Sequence, residues 1–528
     1  SVAMTPDGDF VITWTNTRNG NADIYARRFA ANGQPLGDAF LVNTFTANDQ
    51  KWSDVAMDAE GRFVVVWSSL GQETGFTVPS WGIFARRYDE NGQAVGAEFQ
   101  VNTTVLGDQT LPSVSMDYRG NFAIAWQTVV GPLDTDIAVA VFNWSGAVIL
   151  PETIVNVSRA GQQTNPDIAL APGGNRFAVT WTGLDTQGTG VYAQVYAPDP
   201  TTGVWTGLPA DIAVNTTIQG DQRFSSIAMD GVGNFVVTWS GYGTQRDEED
   251  LADSGVFYQR FDSAGNRLGG ERRVNQVVAG RQWIPSVASD ADGNFIVVFT
   301  GPSATNPSLT TVYRFDSRVY LNQGDVSAPI VTKVLTGTGG LVLESGRVTP
   351  GPQQLVVVFS EDMSQRLADA NNNGIFDAGD IPGPDSILNV QNWRLFRNGQ
   401  EVVGAIKSVE FRYNAVMRRY EAVLTLDSDP NTSASEPLVP GDYQLLVMDV
   451  MTDAYPYFRV SDPITGLQLD GDRDGVPGTG GGLLGFVRNF RVVGGVPGQD
   501  TTVIPGVITQ NARTQPESPN AVARDADG

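Results

Sequence analysis

The chain has 528 residues, with 58 Asp and Glu against 34 Lys and Arg for a net charge of −24, and it contains neither cysteine nor histidine. The two absences exclude disulfide scaffolds, cysteine nucleophiles, iron–sulfur and thiolate or imidazole zinc sites, Ser-His-Asp triads and any imidazole acid–base step. The acidity argues against nucleic acid, because few cations are at hand to displace the counterions around phosphates. Oxygen-ligand chemistry is left, as calcium binding or paired carboxylates acting on sugars. The 59 Gly and 29 Pro among Val, Thr and aromatic residues predict a turn-rich all-β protein. No apolar run is long enough for a membrane span, and from Ser1 no charged and apolar leader is read, so any secretory signal is expected to be absent or already removed.

Six segments share one plan, beginning near Ser1, Asp54, Pro112, Pro166, Ser225 and Pro285. An aromatic recurs at Trp14, Trp67, Trp126, Trp181, Trp239 and Phe299, at spacings of 53, 59, 55, 58 and 60 residues. A second marker keeps the period: Asn43/Gln50, Asn102/Gln109, Asn156/Gln163, Asn215/Gln222 and Asn275/Gln282, always seven apart. In the second segment, alternating stretches at 55–58, 63–67, 83–88 and 98–102 read as four strands, the first two joined by an Asp-Ala-Glu-Gly turn. Four short strands per repeat predict a β-propeller of six, or seven, blades over residues 1–324, with the aromatics packed between blades. A solenoid or a string of small sandwiches is the competing fold.

These repeats resemble those of bacterial extracellular propeller proteins. The Asp-box of sialidases is a poorer match, since Asp117 to Trp126 is three residues too long for it. The Arg pairs 27/28 and 86/87 recur at equivalent strand positions, so they read as parts of blades and not as one catalytic arginine cluster.

After a linker at 325–329 the pattern changes. Leu355-Val-Val-Val-Phe-Ser-Glu, Asn392-Trp-Arg-Leu, Tyr420-Glu-Ala-Val-Leu-Thr-Leu, Leu438-Val-Pro-Gly-Asp-Tyr and Phe490-Arg-Val resemble the Ig-like domains of bacterial surface-layer and adhesin proteins. The resemblance implies a β-sandwich over 325–493. Within it, residues 369–380 place oxygen ligands at calcium-loop positions, with Asp369, Asn371, Asn373, the Ile375 carbonyl, Asp377 and Asp380 as candidates and Gly374 at the sharp turn. The loop resembles that of dockerins, although Asp380 stands where a longer Glu would chelate through both oxygens. A solvated Asn/Asp/Gly turn is the alternative. Asp470, Asp472 and Asp474 begin a second such loop, whose remaining ligands could come from Asp449 or Asp453. The acidic run at 247–250 reads as a solvated blade loop.

Residues 494–528 read as a linker and strand leading into a further repeat, since 521–528 match 1–8 at an offset of 520. With every prominent polar residue either periodic or in a calcium loop, the sequence leads to a non-enzymatic, calcium-stabilised extracellular fibre, sheath or surface array. Its units would self-associate head to tail or by strand addition. The alternatives are a cell-surface adhesin or lectin gripping glycan or protein with blade loops 71–81 and 242–254, and a glycosidase with two carboxylates.

Overall fold

The computed structural model describes residues 1–302 apart from 19, 74–77, 242–253 and 277–280, then 313–320. It further describes 329–429 apart from 361, 366, 369–380, 384, 385 and 418, and 435–493 apart from 450, 452–468 and 470–484. The protein is all-β, built largely of small antiparallel sheets in a propeller-type succession. Blade two is typical: Gln50–Met57, Phe63–Leu70, Trp81–Tyr88 and Phe99–Gln100 pair in that order. Blades one, two, three and five have four strands, blade four a fifth short one, and blade six three among the described residues.

The second strand of a blade is apolar at every turn of the pleat because both its faces are covered. In blade two, Val64 and Val66 pack on Phe122, Ile124 and Trp126 of blade three, while Phe63, Val65 and Trp67 meet Val11 and Ile24 of blade one. Each blade therefore has a trailing face that fits the leading face of its successor. The marker aromatics lie on leading faces, and Trp67, Trp126, Trp181, Trp239 and Phe299 are all buried. Trp14 differs: it is 36% exposed, because no described blade covers the leading face of blade one.

Polar side chains tie blade to blade in three tiers. The marker Asn accepts the backbone N–H that opens the third strand of its own blade, as Asn102 does from Ile83 at 2.8 Å and Asn275 from Val256 at 2.9 Å. Its amide reaches the marker Gln, and the Gln amide donates to the carbonyl three residues back, as in Gln109 to Leu106. The pair thus pins the connection between one blade and the next. Four residues before the marker Asn stands an acid that clamps the preceding blade. Glu98 accepts from the amides of Thr44 and Phe45, Glu152 from Thr103 and Thr104, Asp211 from Val157 and Ser158, and Glu271 from Thr216 and Thr217. Finally, a hoop runs through the inner strands: Asp54 accepts from Val114 N, Ser113 from Ile168 N, Asp167 from Ile227 N and Ser226 from Val287 N. The periodic arginines also cross between blades, Arg28 to the Glu90 carbonyl and Arg87 to the Trp144 carbonyl.

From residue 330 onward, two sheets enclose one core. Val331–Thr336, Gln354–Phe359, Arg419–Leu426 and Ile406–Asn414 form one sheet; Gly346–Val348, Gly485–Val492, Gly441–Met448, Trp393–Arg397 and Gln400–Glu401 form the other. Val334, Leu355, Phe359 and Leu424 from the first meet Trp393, Leu445, Phe486 and Phe490 from the second. This unit touches the propeller through ion pairs: buried Lys333 reaches Asp7 at 2.9 Å and Asp9 at 2.6 Å, and Arg488 reaches Glu60 at 2.9 Å. All three acids lie at the turns joining first and second strands, so the second unit sits at that end of the blades.

Candidate functional site

The opposite end of the propeller carries the links between blades and the loops between second and third strands. There, each inner strand of blades two to six begins with one residue in the left-handed region: Trp52 (φ 54°), Leu111 (55°), Asn165 (52°), Phe224 (57°) and Ile284 (50°). For a side chain other than Gly or Asn this conformation costs about 1–2 kcal/mol, and the marker Gln two residues earlier is the anchor that holds it. The residue forms a bulge, visible as the register shift between Lys51 and Asp54 opposite Ser68 and Val66. Strict alternation would have sent every other side chain toward a neighbouring blade. The bulge instead frees this one at the mouth of the ring, and Trp52 is 43% and Ile284 49% exposed.

Two aromatic clusters result. Trp52 meets Trp81 of the same blade, with ring centroids 4.9 Å apart and planes at 52°. Phe224 of blade five meets Trp283 of blade six at 6.5 Å, edge to face. Arg223 lies over Phe224 and Arg281 over Trp283, at 5.8 and 5.0 Å. A cleft of ≈ 160 Å³ opens beside them, also lined by Asp221, Ser240 and Ser254. Three acids at this end are engaged by the framework: Asp108 accepts from Trp81 N, Asp49 from Ala22 N and Lys51, and Asp221 pairs with Arg223. Deeper in the ring, burial raises the Asp167 carboxyl above the usual range against the hydrogen bonds it accepts from Ser113 and Ile227, and the charge of Asp54 raises it further. Both oxygens of Asp54 are likewise occupied, by Ser1 Oγ and Val114 N. Among the described residues of these clusters, a ligand meets aromatic surface, the guanidinium groups of Arg223 and Arg281, and the hydroxyls of Ser240 and Ser254.

The residues expected to hold calcium, Asp369, Asn371, Asn373, Ile375, Asp377, Asp380, Asp470, Asp472 and Asp474, lie outside the described residues, as do Asp453 and the acidic run at 247–250. Among the described residues no group of three or more carboxylates is arranged to hold a metal. Of the two loops expected to grip a ligand, 71–81 is described in part, and there Glu73 turns inward to Asn102, Gln100 and Ser80. The other, 242–254, is described only at Ser254. The left-handed residues escaped the sequence reading; their signal was a constant place two residues after the marker Gln.

No protein-family model matches the chain, and no curated protein matches it. Among solved structures it is similar to a protein of unknown function from Dyadobacter fermentans, at 10% identity and a TM-score of 0.40 over 60% of this chain and 93% of that one. A Hadza microbial sialidase matches at 12% identity and 0.36, over 57% and 62%. The α-L-arabinanase of Penicillium chrysogenum matches at 13% identity and 0.34, over 59% and 88%. At these values the likeness is one of propeller architecture. It nonetheless corrects two expectations, the non-enzymatic fibre or array component and the statement that the chain is no enzyme. These neighbours bear the names of a sialidase and an arabinanase, and framework duty for the periodic polar residues does not remove chemistry from the loops. Neither the comparisons nor the described strands assign an Ig-like family or a dockerin loop to the second unit.

Proposed function

We propose that this is a carbohydrate-acting protein whose propeller engages a glycan chain across the ring mouth. The observation that carries the reading is the exposed Trp52 set against half-buried Trp81, held out of the blade by its own left-handed backbone. The left-handed turn recurs in five blades, and at Trp52 it holds a large aromatic side chain in the open, which supports a binding role. A sugar ring offers a face of C–H groups to an indole and a rim of hydroxyls to groups such as Arg223, Arg281 and Ser240. Aromatic surface with few polar groups is the ordinary make-up of such sites.

The proposal includes placement outside the cell, calcium held at 369–380 and at Asp470, Asp472 and Asp474, and an Ig-like second unit. The ligand spacing of those loops and the strand motifs named above support these parts. Native gels containing neutral or acidic polysaccharides, with reducing-sugar release measured in parallel, test the function. At least one polysaccharide is expected to retard or be cleaved by the protein, with Trp52→Ala and Trp81→Ala each weakening the effect about tenfold. Indifference to the whole panel sinks the reading.

A further inference from the structure

The residue before the marker Gln holds a framework post. Asp49 accepts from Ala22 N–H at 3.0 Å, Asp108 from Trp81 N–H at 3.1 Å and Asp221 from the Thr189 hydroxyl at 3.3 Å, each at the opening of the preceding blade's third strand. In the link from blade three to blade four Gln162 stands there, and the Thr135 hydroxyl closes the joint by donating to the Gln163 carbonyl at 2.8 Å. In the link from blade five to blade six the post is reversed in charge. It is Arg281, and the Ser254 hydroxyl makes the corresponding bond to the Gln282 carbonyl at 2.8 Å, so the link is closed without residue 281. Arg281 is exposed, its guanidinium lies 5.0 Å over the half-buried Trp283, and it makes no hydrogen bond or ion pair among the described residues.

We propose, resting on the glycan reading above, that the cleft between blades five and six takes an anionic sugar, the carboxylate or sulfate it bears held by Arg281 and Arg223 and its ring set against Trp283. The donors suit such a group. A guanidinium grips two oxygens of a carboxylate or sulfate at once. Arg223 gives one nitrogen to Asp221 at 3.1 Å and has others to offer. Ser240 Oγ accepts from Ile284 N–H at 2.9 Å and keeps its own proton for a ligand, while Ser254, its proton already given to Gln282, can accept from a sugar hydroxyl. Among the described residues the only acid lining this cleft of ≈ 160 Å³ is Asp221. A net charge of −24 gives the chain no general attraction for polyanions, so holding one requires a local seat of this kind.

The test is affinity electrophoresis of the full chain in gels holding polygalacturonate, dextran sulfate, or the uncharged polymers dextran and arabinan. Retention by at least one of the two acidic polymers is expected, the first assigning the carboxylate and the second the sulfate. Arg281→Asp, which restores the residue usual at this post and so is expected to fold, should weaken that retention about ten- to hundredfold. Arg281→Lys, which keeps the charge without the fork, should weaken it less. Arg272→Asp, the same change of charge at an exposed position on the outer strand of blade five, should leave it within about twofold. Retention by uncharged polymers only, or acidic retention that Arg281→Asp spares or Arg272→Asp weakens equally, overturns the inference and leaves the glycan reading standing. No retention by any polymer refutes the glycan reading itself, and this inference with it.

Discussion

Replacing Asn102 by alanine tests whether the repeated Asn is a structural staple. Its Oδ1 accepts from the buried Ile83 N–H at 2.8 Å, and its Nδ2 donates to Glu73 at 2.7 Å and to the Thr104 carbonyl at 2.9 Å. Alanine leaves a buried N–H unpaired, at about 1–3 kcal/mol, and takes a donor from a buried carboxyl, at about 1.5–3 kcal/mol. Thr104 is exposed and its carbonyl can turn to water. The loss is expected to be about 3–5 kcal/mol, which with a urea m-value of about 3 kcal/mol/M moves the propeller's midpoint down by about 1–1.7 M. Asn102→Asp keeps the acceptor but sets a second carboxyl against Glu73, whose carboxyl burial already raises. It should be at least as damaging at neutral pH and recover in part on acidification. The exposed Asn91→Ala in the same blade should stay within about 0.5 kcal/mol. A loss below about 1 kcal/mol for Asn102→Ala, read by tryptophan fluorescence in urea, would refute the staple.

Lys333→Met removes the cation between Asp7 and Asp9, leaving the buried Asp7 carboxylate without its ion-pair partner, and should cost about 3–5 kcal/mol or part the two units. Limited proteolysis near residues 321–328 reads this, and unchanged cleavage would contradict it. Acid should act oppositely on the two units. The raised Asp167 carboxyl holds its proton in the folded state above the ordinary aspartate range, so its contribution grows as pH falls through that window and is lost as pH rises. At Glu421 burial pushes upward, but Arg419, Asn414 and Arg412 together hold the carboxyl below its usual range, so its stabilisation is lost as pH falls below ordinary glutamate values. Calorimetry should therefore show the propeller holding or gaining between neutrality and about pH 5, and the second unit weakening below about pH 4. The reverse order would be evidence against both assignments. If calcium occupies the loops at 369–380 and 470–474, a chelator should lower the melting temperature of the second unit alone, and an unmoved transition counts against it.

The blades were legible because the constraint on them is periodic: an apolar strand covered on both faces, a Gly turn and a marker aromatic return at each repeat. Trp14 broke the rule, since burial depends on a neighbour that the residue's own sequence does not encode. The first strand of blade two was read at 55–58 and in fact runs from Gln50 to Met57, because the left-handed Trp52 interrupts the alternation by which strands are recognised. The acids Glu98, Glu152, Asp211 and Glu271 were plain in the sequence, yet their partners lie about a repeat earlier, and a search for nearby pairs of carboxylates passes over them. The Asn/Gln pair was found by its spacing alone; its work, closing the link between blades, needed the donor and acceptor directions.

The carboxylate clips also impose a schedule on synthesis. Each belongs to the blade made later and closes the blade made before it, Glu98 on Thr44 and Glu271 on Thr216. A nascent blade leaving the ribosome therefore waits for its successor before its last amides are satisfied, which for about 55 residues at 5–20 residues per second is about 3–11 s. The newest blade is always the one with unsatisfied amides and an uncovered apolar face. A pause in translation within any repeat would hold open the blade before it, and that blade is where a chaperone or a protease would find its opening.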